Sequence, residues 1–192
     1  MKKILIINGH PDRDRYNNAL QEAYKDGALE TGAIIDKVML SDLQFDPNLR
    51  YGYRKRMELE PDLLQAWEKI QAAQHIVWVF PLWWGFTPAV LKGFIDRLFL
   101  PGLAFRYKAD GIYTEKLLRG RTAHIICTMD SPVWYYKLGF RETGIRTFRT
   151  QILSYCGIKT TTTTYIAPLN QLKEQQRNKH LEKIKALGRK LK

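Results

Sequence analysis

Aromatic side chains crowd one turn of this sequence where polar residues are the rule. Pro81-Leu82-Trp83-Trp84-Gly85-Phe86 closes an apolar run, 75–80, that reads as a strand. A turn there ordinarily carries Gly, Asn, Asp or Ser. Large rings at the open end of a strand need something flat to cover, and a planar tricyclic ring would serve, with backbone N–H groups of the turn facing its polar edge. The competing account packs both tryptophans into the core or against another subunit, and the turn by itself leaves the two accounts even. A second cluster, Ser131-Pro132-Val133-Trp134-Tyr135-Tyr136, follows the apolar run 122–128. If these runs lie near each other in one sheet, three of the five tryptophans surround one crevice. Coincidental core packing then becomes the weaker account. A tyrosine in such a pocket has a role, because its hydroxyl can donate to a carbonyl edge as negative charge develops there.

A third loop carries polar chemistry. Asn8-Gly9-His10-Pro11-Asp12-Arg13-Asp14-Arg15-Tyr16-Asn17-Asn18 leads from the first apolar run into a helix. Free N–H groups and the helix dipole make such a start an anion site, and Arg13, Arg15, Asn17 and Asn18 could add side-chain donors. The loop is neither a Walker loop nor the dinucleotide G-x-G-x-x-G. An ordinary capped helix start with a histidine packed beneath it explains the same residues equally well. His10, His75, His124 and His180 lack metal-ligand spacing, so no metal site is expected. Cys127 sits inside an apolar run and no G-x-S-x-G elbow occurs, which leaves hydrolysis by a Ser or Cys nucleophile without support.

The elements that would position these loops alternate between apolar strands and helix-period segments, the pattern of βαβ units and a parallel sheet. Strands are expected at 3–8, 33–40, 75–80, 122–128 and 158–166. Helices are expected at 17–31, 61–73, from Thr87 as N-cap through Phe99, at 143–156 and at 172–187. Ligands of such open sheets bind beyond the carboxyl ends of the strands where strand order reverses, which is where the three unusual loops fall. The loop 41–60 is longer than connections in compact domains usually run. Five threonines in a row, 160–164, suit an edge strand. No internal repeat or domain boundary is evident, so a single domain is expected.

With 192 residues the chain can bury a conventional core. Its two cysteines give neither a disulfide framework nor a metal set, which fits a reducing cytoplasm. The apolar run 4–7 after Met1-Lys2-Lys3 is too short for a secretion signal. The longest uncharged stretch, 76–91, contains Pro81, Gly85 and Pro88 and falls short of a membrane span. The net charge of +12 invites a nucleic-acid reading, but half of it lies in residues 171–192, where a solvated basic helix face explains it. The remaining excess could attract anionic ligands, dinucleotide phosphates included.

At these loops the sequence resembles the NAD(P)H:quinone oxidoreductase (DT-diaphorase) family, whose bacterial members include general stress proteins, the modulator of drug activity type and potassium-efflux ancillary flavoproteins. The similarity spans nearly the whole chain. It is carried by Ile6-Ile7-Asn8-Gly9-His10-Pro11, Tyr16-Asn17, Asp42-Leu43, Phe45-Asp46-Pro47 and Phe80-Pro81-Leu82-Trp83-Trp84. It continues through Pro88-Ala89-Val90-Leu91-Lys92-Gly93-Phe94-Ile95-Asp96-Arg97-Leu98-Phe99 and Ala104-Phe105-Arg106-Tyr107. The resemblance implies a flavodoxin-like fold with a five-stranded parallel sheet of order 2-1-3-4-5. It also implies a homodimer with flavin sites at the subunit interface, and ping-pong transfer of hydride from NAD(P)H through flavin to a quinone. His10, Tyr16 and Asn17, with Arg15 and Asn18 beside them, would hold the ribityl and phosphate portion. Pro81, Leu82, Trp83, Trp84, Gly85 and Phe86 would frame the isoalloxazine, with Thr128, Asp130 and Ser131 opposite.

Tyr135 matches the family's active-site tyrosine. Three departures stand out. Arg15 replaces the usual Ser or Thr, Thr128-Met129-Asp130 replaces Thr-Gly-Gly, and Arg141 stands where better-studied members have a histidine six residues after the tyrosine. Arg141 would then stabilise an anionic reduced flavin or bind a dinucleotide phosphate. No adenine-binding segment decides between FMN and FAD. The alternative reading is a regulatory subunit docking on a potassium-efflux transporter. A flavodoxin-type electron carrier fits less well, because those carriers are typically acidic.

Overall fold

A computed structural model describes residues 1–108 and 113–191. In chain order it contains β1 (Lys3–Asn8), α1 (Tyr16–Leu29), β2 (Ile34–Met39), α2 (Pro61–Ala72), β3 (His75–Pro81), α3 (Ala89–Leu98), β4 (Phe105–Tyr107) and β5 (Thr114–Lys116). There follow β6 (Thr122–Thr128), α4 (Val133–Leu138), α5 (Thr143–Thr147), a π-helical stretch Phe148–Ser154, β7 (Lys159–Ile166) and α6 (Glu174–Arg189). Five strands pair in parallel in the order β2-β1-β3-β6-β7. This is the expected flavodoxin-like sheet, with β4 and β5 inserted as a small antiparallel hairpin.

The apolar runs form strands because both faces of the sheet are covered. β3 is buried along its whole length and β1 at every residue after Lys3, as continuous hydrophobic runs in parallel sheets must be. One core layer packs α2, α3 and the α5 segment around Trp78, Phe80, Phe94 and Phe148. The other packs α1 and α6 around Ile4, Ile6, Leu20 and Tyr24. The threonine run lies on β7, an edge strand, as its β-branched residues suggest.

Four details differ from the sequence expectation. Helix α3 starts at Ala89 with Pro88 at the N-cap, so Thr87 lies outside the helix and makes no capping bond. The aromatic segment after β6 is partly helical, as α4. The segment expected as one helix over 143–156 is α-helical at its ends and π-helical over Phe148–Ser154. The β4-β5 hairpin, with strands of three residues, is not among the elements expected from the sequence. The long loop is pinned by Arg97, whose fully buried guanidinium donates to the Glu60 carboxylate (2.8 and 3.0 Å), the Glu58 carbonyl (2.7 Å) and the Asp46 carbonyl. Pro47 closes over Gly93, where a Cβ would lie 2.4 Å from the proline's own Cβ.

Candidate active site

The strand order reverses at β1, whose two neighbours are β2 and β3, and the loops after β1, β3 and β6 lie at the carboxyl edge of the sheet. The turn after β3 is a two-residue hairpin. Trp83 and Phe86 exchange both backbone bonds at 2.9 Å, while Trp84 and Gly85 take φ of +50 and +77. Positive φ at both central positions is the type I′ geometry, for which Asn-Gly is the favoured pair. Tryptophan at the first position is strained, and the turn presents its indole wholly to solvent. Strain held at such a place points to function. The α5 segment backs the turn so closely that a Cβ on Gly144 would lie 1.8 Å from the Gly85 carbonyl oxygen.

Between this turn and the loop after β6 lies a cleft of about 830 Å³. Leu82, Trp83, Trp84, Gly85 and Phe86 form one wall. Met129, Asp130 and Ser131 form the other, with Tyr136 and Phe140 from the α4 region, and Thr143, Gly144 and Thr147 along α5. Of the second aromatic cluster Ser131 and Tyr136 line this cleft, whereas Trp134 and Tyr135 lie outside the lining, so two of the tryptophans border it where three were expected. Pro81 ends β3 in the buried sheet, outside the lining. Tyr135 is half exposed and packs against Trp134 and Phe140, with ring centroids 5.8 and 5.2 Å apart. Arg141 lies in the link between Phe140 and Thr143 but is not among the residues that line the cleft, and both it and Glu142 take positive φ.

Tyr136 was missed as a site residue, although the sequence held a signal for it. Val133, Tyr136 and Phe140 are spaced i, i+3, i+7, one helical face, and it is this face that reaches the core and cleft. The Tyr136 hydroxyl accepts the Ile145 N–H at 3.1 Å, and burial raises its pKa. This bond ties α4 to α5 and fixes the rear of the cleft.

At the first loop, His10 is buried with its ring edge-on to Trp83, 5.4 Å between centroids. Its Nδ1 accepts the Asp12 N–H at 3.0 Å, so the neutral ring carries its proton on Nε2. Burial lowers its pKa and keeps the ring neutral. Asn17 is buried at the first turn of α1, where its Oδ1 accepts the Thr128 hydroxyl at 3.2 Å. Its Nδ2 has no partner, and neither has the Thr87 hydroxyl at the far end of the aromatic turn. Two unpartnered buried polar groups among the three loops are what a polar ring or ribityl chain would satisfy.

No side chain caps α1 and its first turn has no acidic residue; the Asn18 N–H donates to the Arg15 carbonyl at 2.9 Å, which leaves the N–H groups of Tyr16 and Asn17 to an anion. Arg15 is exposed and paired with Asp12 at 2.7 Å, Arg13 is paired with Asp42, and Asn18 is half-buried. Tyr16 is held from the chain's far end. Its hydroxyl donates to the Arg177 carbonyl at 2.7 Å and the Arg177 guanidinium lies 5.4 Å from its ring. Asp130 accepts the Asn170 N–H at 2.9 Å. Among the described residues no cluster of His, Cys, Asp or Glu could hold a metal ion.

The sequence profile of proteins with a flavodoxin-like fold matches residues 2–187. The chain belongs to the flavodoxin-like fold family. A ribosyldihydronicotinamide dehydrogenase [quinone] of Pongo abelii is 27% identical over 183 residues, covering 82% of this chain and 78% of that protein. Smu.1420 from Streptococcus mutans UA159 superposes with a TM-score of 0.85 at 28% identity, over 98% of this chain and 99% of that one. An FMN-dependent NADH-azoreductase of Bacillus anthracis, solved in complex with FMN, superposes with a TM-score of 0.74 at 20% identity, over 100% of this chain and 99% of that one; this likeness is one of fold. The motif resemblance to quinone oxidoreductases thus has its counterpart in relatives found along most of the chain.

Proposed function

We propose that this flavodoxin-like chain is a flavin-dependent NAD(P)H:quinone oxidoreductase. The observation that carries the reading is the strained Trp84-Gly85 turn facing the Met129–Ser131 wall across an aromatic cleft at the carboxyl edge of the sheet. A flavin held there, FMN or FAD, would supply ping-pong hydride-transfer chemistry between NAD(P)H and a quinone or similarly flat acceptor.

The chain's own groups fit that task. Leu82, Trp83, Trp84, Gly85 and Phe86 would hold the ring system and exclude water, with Asp130 and Ser131 at its other side. His10, Tyr16, Asn17 and Asn18 would hold the ribityl and phosphate portion at the α1 N-terminus. There the helix dipole favours an anion and the neutral His10 offers its Nε2 proton. Thr128 keeps the Asn17 amide oriented through its hydroxyl. Pro81 sets the exit angle of the turn. Arg15, already paired with Asp12, would add positive charge near the phosphate. Tyr135 would donate its hydroxyl proton in a hydrogen bond to the carbonyl edge as charge develops, and Arg141 would supply the compensating cation or take a nicotinamide dinucleotide's phosphate.

The reading includes a homodimer, since Trp84, Trp134, Leu138 and Phe140 expose large apolar surface around the cleft. It also includes a cytoplasmic setting, in keeping with two buried free thiols. Purified protein should be yellow or become so with added FMN or FAD. Heat release followed by mass identification names the cofactor, and anaerobic mixing with NADH or NADPH names the reductant. Protein that neither retains nor takes up flavin overturns the proposal. Flavin uptake with negligible quinone turnover, together with co-purification of a potassium-efflux transporter, would replace the enzyme by the regulatory alternative.

A further inference from the structure

A second polar cleft, of about 380 Å³, opens beside the amino ends of β6 and β7. It lies at the opposite end of the sheet from the aromatic cleft. β7 begins at Lys159, paired with Thr122, and reaches the level of Thr128 at Ile166. Six residues of β6 thus separate the two ends, about 20 Å at ~3.3 Å per residue. Four cations converge on this second cleft, Lys116, Arg119, Arg149 and Lys159, and no carboxylate lines it.

Among the described residues none of the four meets an Asp or Glu in an ion pair. Concentrating unpaired cations at one place costs self-repulsion that an anion would relieve.

The surrounding groups are built for oxygen-rich anions. The Thr150 and Ser154 side chains line the cleft beside the cations, and the Thr160 hydroxyl is buried there without a partner. Lys116 is anchored by donating to the Ser154 carbonyl at 2.7 Å. Arg119 is placed by Gly157, which takes φ +102, and a Cβ there would lie 2.9–3.1 Å from the Arg119 backbone and stem. Arg149, Thr150 and Ser154 come from the π-helical stretch, a rare geometry that often marks functional positions. Ile158 is the one large apolar lining residue and no aromatic ring lines the cleft, so nothing there would stack on a base.

We propose that this basic cleft binds a small polyphosphate anion, recognised through Lys116, Arg119, Arg149, Lys159 and the Thr160 hydroxyl. The proposal does not depend on the flavin reading. The probe is inorganic pyrophosphate, titrated calorimetrically into protein as purified, with and without saturating FMN so that any anion site at α1 is either filled or open. Saturable binding of one pyrophosphate that persists with FMN present is expected, with orthophosphate weaker. Replacing two exposed cleft cations (Arg149→Ala with Lys159→Ala) should weaken binding by about tenfold or more, the scale set by charge-assisted hydrogen bonds. A charge-matched control on α6 (Lys179→Ala with Lys183→Ala) should leave it unchanged. Absence of saturable binding at millimolar pyrophosphate overturns the proposal, and so does equal weakening in the control pair, which would mean unspecific attraction to a basic surface. Tighter binding of an RNA oligomer than of pyrophosphate, lost in the cleft pair, would also overturn it, in favour of a polynucleotide.

Discussion

Trp84 is held at φ +50 with its indole in solvent, so the single chain gains no packing from it. For an L-residue the left-handed region costs about 1–2 kcal/mol, while glycine adopts it freely but has more entropy to lose on folding. Replacing Trp84 by Gly should therefore leave stability unchanged or raise it by up to about 1 kcal/mol in urea titrations. Flavin retention and quinone turnover should fall together. Undiminished flavin affinity in that variant would count against the aromatic turn as the ring's seat. Adjacent tyrosines divide in the same way. Tyr136→Phe strands the buried Ile145 N–H and should cost about 1–3 kcal/mol of stability. Tyr135→Phe, at a half-exposed ring with no hydroxyl partner among the described residues, should leave stability alone and lower the rate of flavin reduction. Stopped-flow reduction set beside denaturant melts separates the two.

Between elements, α1 and α6 approach each other closely through two glycines. A Cβ on Gly27 would lie 1.9 Å from the Lys185 carbonyl oxygen, and one on Gly188 would lie 2.3 Å from that of Tyr24. Alanine at 27 gains about 1 kcal/mol of helix propensity, but the contact is with backbone and cannot be relieved by a rotamer change. Gly27→Ala should destabilise by at least about 1 kcal/mol net and should loosen Tyr16, which α6 holds through Arg177. Hydrogen exchange in α6 reads this directly. Within the sheet, His75 is lowered from 6.5 to about 3 by burial first, then by the charges of Lys2 and His124. The unfolded chain takes up this proton below pH 6.5 while the folded chain refuses it until about pH 3. Stability is therefore unaffected by this group above pH 6.5 and falls as pH drops, by about 1.4 kcal/mol per unit. Between pH 6.5 and 5 that amounts to about 2 kcal/mol, and His75→Gln should flatten the profile measured by chemical denaturation.

The large elements were legible in the sequence because full burial of β1 and β3 demands continuous apolar runs and the helices carry a 3.6 period. The small ones were not. β4 and β5 have three residues each, too few to show alternation, and α4 is one aromatic-rich turn and a half whose residues are poor helix formers. The π-helical stretch left a faint trace. The buried positions along it and its α-helical flanks, Ile145, Phe148, Leu153 and Cys156, are spaced three, five and three, and the five is one residue more than an α-helix face permits. The same segment joins the two clefts, with Thr147 lining the aromatic one and Arg149 the basic one. Periodicity could place both clefts' residues on one helix and still not say which way each pointed.

For the molecule as a whole, one group of exposed apolar side chains lies on the segments that frame the aromatic cleft, while others, Tyr53 and Tyr107 among them, lie elsewhere. Trp134 is 66% and Leu138 76% exposed, beside Trp84 and Phe140. Stable single chains rarely leave aromatic surface of this kind open to water, and surface that is buried by association can hold the strained Trp84 conformer at little cost. Sedimentation equilibrium should therefore report a dimer at micromolar concentration. Leu138→Glu places a charge that pairing would desolvate without disturbing a core contact, so it should shift the equilibrium toward monomer while the fold, read by far-UV circular dichroism, persists. If the cleft is completed across that interface, the same variant should lose flavin in proportion to the monomer fraction as it is diluted. Flavin retention independent of concentration would instead mean that a single chain closes the site alone, with Trp84 and Trp134 serving only to join the subunits.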